Sequence, residues 1–137
     1  MKFEHTFERQ FTDKEKIEIF ANVKTLVSKD ITTVFISHLD TLEFDVPFWV
    51  WSQNKYATVD KVQYQIYNDN KLVYKTNHLR SIIIGAIIAL VFVLFIDNRL
   101  VAVVMFSILF LLNYITNVVR HKRLFKLIIT KIDQNVV

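Results

Sequence analysis

One stretch, from Ser81 to Val119, limits what the rest of this chain can become. It reads SIIIGAIIALVFVLFI, then DNR, then LVAVVMFSILFLLNYITNVV. Ile82 to Ile96 is fifteen residues with neither charge nor amide, and Leu100 to Leu112 is thirteen more. A helix that crosses a bilayer needs about 20 mostly apolar residues, and about 17 suffice. Reaching back to Leu79 and on to Val119 meets that length. Asp97-Asn98-Arg99 leaves room only for a tight reversal. The stretch therefore predicts an antiparallel two-helix transmembrane hairpin, with spans at 79–96 and 100–119 and a turn at 97–99. The rest of the chain, about 98 residues, is too short to wrap two helices that are apolar on every face.

Charge is placed unevenly around this stretch. Residues 1–80 hold eleven basic and eleven acidic side chains, so the basic balance belongs to the region from Arg120 onward. That placement excludes a nucleic-acid-binding face on the N-terminal part. It also predicts orientation. Lys71, Lys75 and Arg80 precede the first span, and Arg120, Lys122, Arg123 and Lys126 follow the second, whereas the intervening turn carries Arg99 alone. Basic residues stay on the cytoplasmic side, so two spans with both termini cytoplasmic are expected.

Scarcity excludes several chemistries. The chain has no cysteine, which removes thiolate catalysis, disulfides and thiolate-ligated metal. Its one glycine, Gly85, lies inside the apolar stretch. No glycine-rich phosphate loop, dinucleotide fingerprint or nucleophile elbow can be built without others.

Residues 1–78 read as a small cytoplasmic α+β domain. Phe3, His5, Phe7, Arg9 and Phe11 alternate with polar residues, the period of a strand with an aromatic face. Thr12 and Glu15 have the spacing of a capping box, predicting a helix from there to about Lys29. Its stripe of Ile19, Phe20, Val23, Leu26 and Val27 should lie on that aromatic face; lying on a membrane surface is the rival placement. Strands are expected over 31–37, from Leu42 to Val50 with Pro47 at an edge or bulge, over 56–67, and over 71–76 after an Asn68-Asp69-Asn70 turn. The whole is α+β: a small, mostly antiparallel sheet with one packed helix, fused to the membrane hairpin. Residues 120–137 form a basic cytoplasmic tail, expected to prolong the second span as a helix along the interface, with a strand as the alternative because LIITKI is β-branched.

Candidate sites are few. Trp49 and Trp51 share the outward face of their strand, where indoles are unusual, and are candidates for contact with a partner or interface. Gly85 and Ala89 form a small-residue face that lets helices approach closely, and Asn113 falls opposite it in an antiparallel hairpin. These three serve helix packing within the chain or association between chains. Arg120, Lys122, Arg123 and Lys126 are candidates for contact with anionic lipid. His5, on an aromatic strand face, is expected to be a packed core histidine, while His78 and His121 flank the membrane ends beside arginines. His38 with Asp40, and Glu43 with Asp45, are the weak candidates for acid–base chemistry. No metal-ligand spacing is present, and no cofactor is expected. No ionisable residue lies at mid-span, which argues against a proton relay or a charged substrate path.

The pattern fits a non-enzymatic, membrane-anchored interaction protein, an accessory or scaffold subunit of a membrane complex. Its partners would be the lipid bilayer and either further copies of itself or other membrane-protein subunits, with no nucleic acid. An interfacial lipid- or amphiphile-binding protein or enzyme is one alternative. An oligomeric pore or membrane-perturbing effector is another.

Overall fold

A computed structural model describes residues 4–29, 36–38, 40–46 and 55–134. Among these the chain is α+β, in the order β1 (Glu4–Gln10), α1 (Lys16–Ser28), β2 (Ile36–His38), β3 (Thr41–Asp45), β4 (Lys61–Ile66), β5 (Lys71–Asn77), α2 (Leu79–Val93) and α3 (Arg99–Gln134). The strands form one sheet, antiparallel at every pairing, in the order β1-β5-β4-β3-β2.

Strand alternation decides which sheet face is covered. Register places Phe7 opposite Tyr74, Tyr74 opposite Tyr64, and Tyr64 opposite Leu42. These four side chains therefore share one face. With Phe44, Val62, Ile66 and Leu72 they form the sheet's contribution to the core. The other face carries Glu43, Lys61, Gln63 and Lys75, with an ion pair of 2.5 Å between Lys61 and Glu43. One face thus packs and the other is solvated, as an antiparallel sheet permits.

Two helices cover the packed face. α1 buries Ile19, Val23 and Val27, the stripe expected from its sequence, against the sheet. The capping box does not form: α1 starts at Lys16, and its N-cap residue Glu15 makes no side-chain cap hydrogen bond. Residues 12–14 bend instead, and the Lys14 side chain is buried with its ammonium paired to Glu18 at 3.1 Å.

The second cover is the C-terminal half of α3. Leu124, Phe125, Ile128 and Ile132 belong to the same core cluster as the sheet. The Phe125 ring stacks on Tyr74, with centroids 5.6 Å apart. Residues 120–134 are therefore no separate tail. They are the last turns of a 36-residue helix that begins at Arg99 and is about 54 Å long. The helix does prolong the expected second span, and its far end packs on the sheet because one stripe, Asn113, Asn117, His121, Phe125, Ile128 and Ile132, holds helical spacing across residue 120.

Two further expectations change. Residues 55–58 form a turn closed by the Val59 amide on the Tyr56 carbonyl, so β4 begins only at Lys61. α2 ends at Val93, short of the expected Ile96, because the reversal occupies residues 94–98. Asn98 then opens α3, its Oδ1 accepting the Leu100 amide at 3.0 Å. Asn68-Asp69-Asn70 does turn as expected, with Asn70 at a φ of 60°.

α2 and α3 pack against each other as a helical hairpin. Outward side chains on both helices are apolar and exposed, including Ile87, Leu90, Val103, Ile108 and Leu112, and Leu94 and Phe95 in the reversal are exposed as well. α3 is long and apolar enough to cross a membrane; α2, at 15 residues, is a shorter apolar helix about 22 Å long.

Candidate functional site

The junction where sheet and hairpin meet gathers most of the polar chemistry buried in the described residues. It starts at the β5–α2 connection, which has no linker. Asn77 ends β5, and its side-chain oxygen accepts the Leu79 amide at 3.1 Å, capping α2. The Asp60 carboxylate accepts the Arg80 amide at 2.8 Å and pairs with the Arg80 guanidinium at 3.2 Å. The same guanidinium donates to the Val46 carbonyl. Loop, strand end and helix start are tied together by two residues of opposite charge.

Behind this clamp stands a column of three histidines. His5 comes from β1, His78 from the residue before α2, and His121 from α3. Their rings meet edge to face, with centroids 5.2 Å apart from His5 to His78 and 5.2 Å from His78 to His121. His78 and His121 have no exposed surface. Hydroxyls take the ring nitrogens: Tyr114 bonds His5 Nε2 at 2.5 Å, Thr76 bonds His78 Nε2 at 2.9 Å, and Tyr74 and Thr58 bond His121 Nδ1 and Nε2 at 2.8 and 3.0 Å. Among the described residues His78 Nδ1 is the one buried side-chain nitrogen or oxygen with no hydrogen-bond partner.

Burial sets the charge of this column. Taking an imidazolium out of water disfavours the protonated form. Desolvation, joined by the potential of His5, lowers the His78 pKa to about 4, against a smaller opposing effect of Asp60. Desolvation, with the potentials of His78, Arg120 and His5, lowers that of His121 to about 3. Both are neutral at pH 7. Beside them, burial raises the Tyr74 and Tyr64 phenols well above their ordinary range, so they stay protonated as donors. His78 and His121, with the hydroxyls of Thr76, Tyr74 and Thr58, make a neutral hydrogen-bonded array. Among the described residues no group of three or more His, Asp or Glu side chains is disposed to hold a metal ion.

His5 thus occupies the packed, hydrogen-bonded position its strand suggested. His78 and His121, expected at the membrane ends, are buried inside the protein, because α3 continues past the apolar stretch and packs its polar stripe onto the sheet. That stripe, with Asn113 and Asn117 leading to His121 at intervals of four, is the signal that would have found the column.

The seam continues into the hairpin. Asn113 Nδ2 donates to the Ser81 carbonyl at 3.0 Å, and Asn117 Nδ2 donates to the Ser81 hydroxyl and to Asn113 Oδ1 at 3.3 Å. Gly85 and Ala89 on α2 are buried, and a Cβ on Gly85 would lie 2.5 Å from Asn113 Nδ2. The small-residue face is therefore filled from within the chain, and association of separate copies through it would require the hairpin to open.

The remaining candidates scatter. Trp49 and Trp51 lie outside the described residues. His38 is exposed, and Asp40 pairs with Lys16 at 2.7 Å. Glu43 is held by Lys61, while Asp45 is exposed. Arg120 and Arg123 line a groove with Lys55, whereas Lys122 and Lys126 are exposed outside it. Comparison with known proteins finds no matching family model, curated protein or solved structure.

Proposed function

We propose that this chain is a non-enzymatic, membrane-anchored interaction protein, an accessory or scaffold subunit that holds a small sheet domain against a bilayer. One observation carries the reading. The helical hairpin satisfies its polar groups along an internal seam while exposing apolar side chains on its outer faces. A membrane needs this division, since backbone and amide groups must find partners inside the protein and the lipid-facing surface must be apolar. α3 supplies one spanning helix by length and composition. The second span is α2 with the three apolar residues that follow it, Leu94, Phe95 and Ile96.

Basic residues on the domain side, against Arg99 alone at the turn, favour both termini in the cytoplasm. With the Gly85/Ala89 face occupied, partners in the membrane would meet the outer faces of α2 and α3. These would be other membrane-protein subunits or a second copy. The solvated sheet face would meet partners in the cytoplasm.

The absence of cysteine makes the test direct. Asn98→Cys should react with a membrane-impermeant maleimide from outside intact cells, and Lys131→Cys only after permeabilisation. Labelling of both from the same side with the membrane intact would overturn the two-span reading. Native mass spectrometry after mild detergent extraction should then show the chain with other subunits or with further copies. A bare 16.3 kDa mass under all mild conditions would overturn the subunit reading.

A further inference from the structure

The groove beside the junction has the chemistry of a headgroup site. It has a volume of about 590 Å³ and is lined by Lys55, Ile115, Thr116, Val119, Arg120, Arg123, Leu124 and Leu127. On α3, Ile115, Val119, Arg123 and Leu127 form one row at intervals of four, and Thr116, Arg120 and Leu124 form the adjacent row. The floor is therefore a single helical face about 18 Å long. Lys55 faces it from the turn before β4, far away in sequence.

The cations sit in the middle of this floor, between Ile115 and Val119 on the hairpin side and Leu124 and Leu127 on the other. Its first turn, Ile115 and Val119, continues the exposed apolar surface of the hairpin. Arg120 and Arg123 follow, joined by Lys55, and no carboxylate is among the lining residues. A mobile anion alone would use the cations and leave the apolar turn unused. An acyl chain alone would gain nothing from three cations. A molecule with an anionic head and an apolar tail uses both, and in the proposed orientation the groove opens where the leaflet's headgroups lie.

We propose that this groove seats one anionic phospholipid, its phosphate held between Lys55, Arg120 and Arg123 and an acyl chain along Val119 and Ile115. The inference rests on the membrane reading above and adds to it a specific lipid stoichiometry. It also divides the basic cluster. Arg120 and Arg123 belong to a formed site with a residue of the sheet domain, whereas Lys122 and Lys126 contribute only diffuse attraction to a charged leaflet.

The test is native mass spectrometry of the full chain from detergent supplemented with equimolar phosphatidylglycerol and phosphatidylcholine of identical acyl chains. Wild type should retain one phosphatidylglycerol per chain in preference to phosphatidylcholine. Lys55→Gln with Arg123→Gln, both exposed and so tolerated by the fold, should lower that retention about tenfold or more. Lys122→Gln with Lys126→Gln makes the same change in charge and should leave retention within about twofold. Glycerol phosphate alone, at the same concentration, should not displace the lipid.

Equal retention of the two lipids would overturn the proposal. So would equal loss in both double variants, or displacement by glycerol phosphate, which would make the groove a site for free phosphate esters. Flotation with vesicles is scored separately. A wild-type chain that fails to float removes the membrane reading together with this one, whereas floating chains without lipid preference remove this one alone.

Discussion

Asn113 closes over Gly85 so tightly that a methyl group on the glycine would meet the Asn113 amide nitrogen at 2.5 Å. That nitrogen is not free to move aside without cost, because it donates to the Ser81 carbonyl at 3.0 Å. Gly85→Ala should therefore destabilise the hairpin by about 1–3 kcal/mol through overpacking and loss of that bond. Thermal unfolding in detergent would measure it. Asn113→Ala should remove the clash, so the double variant should cost less than the sum of the two single changes. Strict additivity would show that the two residues do not contact each other.

The histidine column predicts an acid limit. In the unfolded chain His78 and His121 titrate at the ordinary value of 6.5, whereas in the folded chain they titrate at about 4 and about 3. Below 6.5 the unfolded chain binds protons that the folded chain refuses, so stability rises with pH in this window and is lost as pH falls. Each histidine contributes up to about 1.4 kcal/mol per pH unit. The loss should run from 6.5 to about 4 for His78, continue to about 3 for His121, and be absent above pH 7. Denaturant titrations at pH 7.5, 6.0 and 5.0 would follow it. His121→Gln should lower the starting stability and roughly halve the slope, while an unchanged slope would remove His121 from the account.

The end of α3 should behave as core. Phe125 is buried against Tyr74 and Phe7. Phe125→Ala is expected to cost about 3–5 kcal/mol. Leu127→Ala, two residues on and exposed, should stay within about 0.5 kcal/mol. Truncation after Arg120 should leave the sheet domain unfolded by circular dichroism. A dispensable basic tail would leave it intact.

Asp60 has two tasks at the junction, accepting the Arg80 amide and balancing its guanidinium. Asp60→Ala should cost about 1.5–3 kcal/mol, the range for a hydrogen bond to a charged group. Asp60→Asn keeps an acceptor for the amide and should recover part of that. Equal losses for the two would assign the effect to charge alone.

Much of this fold could be read from alternation. The inward set of β1, the stripe of α1 and the polar turn before β5 follow from periods of 2 and 3.6 in the sequence. Asn113 opposite Gly85 follows from simple counting back from the hairpin bend. The reading failed where an element's meaning depends on a distant neighbour. Lysines and arginines after Val119 suggest a tail, yet Leu124, Phe125, Ile128 and Ile132 find the sheet, and only tertiary packing decides between lipid and core. His78 and His121 look like membrane-edge residues for the same reason. Thr12 and Glu15 have the right spacing for a cap, but residues 12–14 bend, with Lys14 buried, and the helix starts only at Lys16. Lys55 could not have been assigned to the groove at all, because it meets α3 from a turn some sixty residues away in sequence.

In the proposed membrane placement, the unbroken α3 would make the sheet domain answer to bilayer thickness. A hydrophobic helix longer than the local hydrocarbon layer accommodates it by tilting. Because the lipid-facing turns and the sheet-packing turns belong to one rod of 36 residues, any tilt of the anchor is delivered undiminished to the domain. Under that proposal a thin membrane would lean the sheet over and a thick one would stand it upright, so the domain's posture would report the thickness of the bilayer around it.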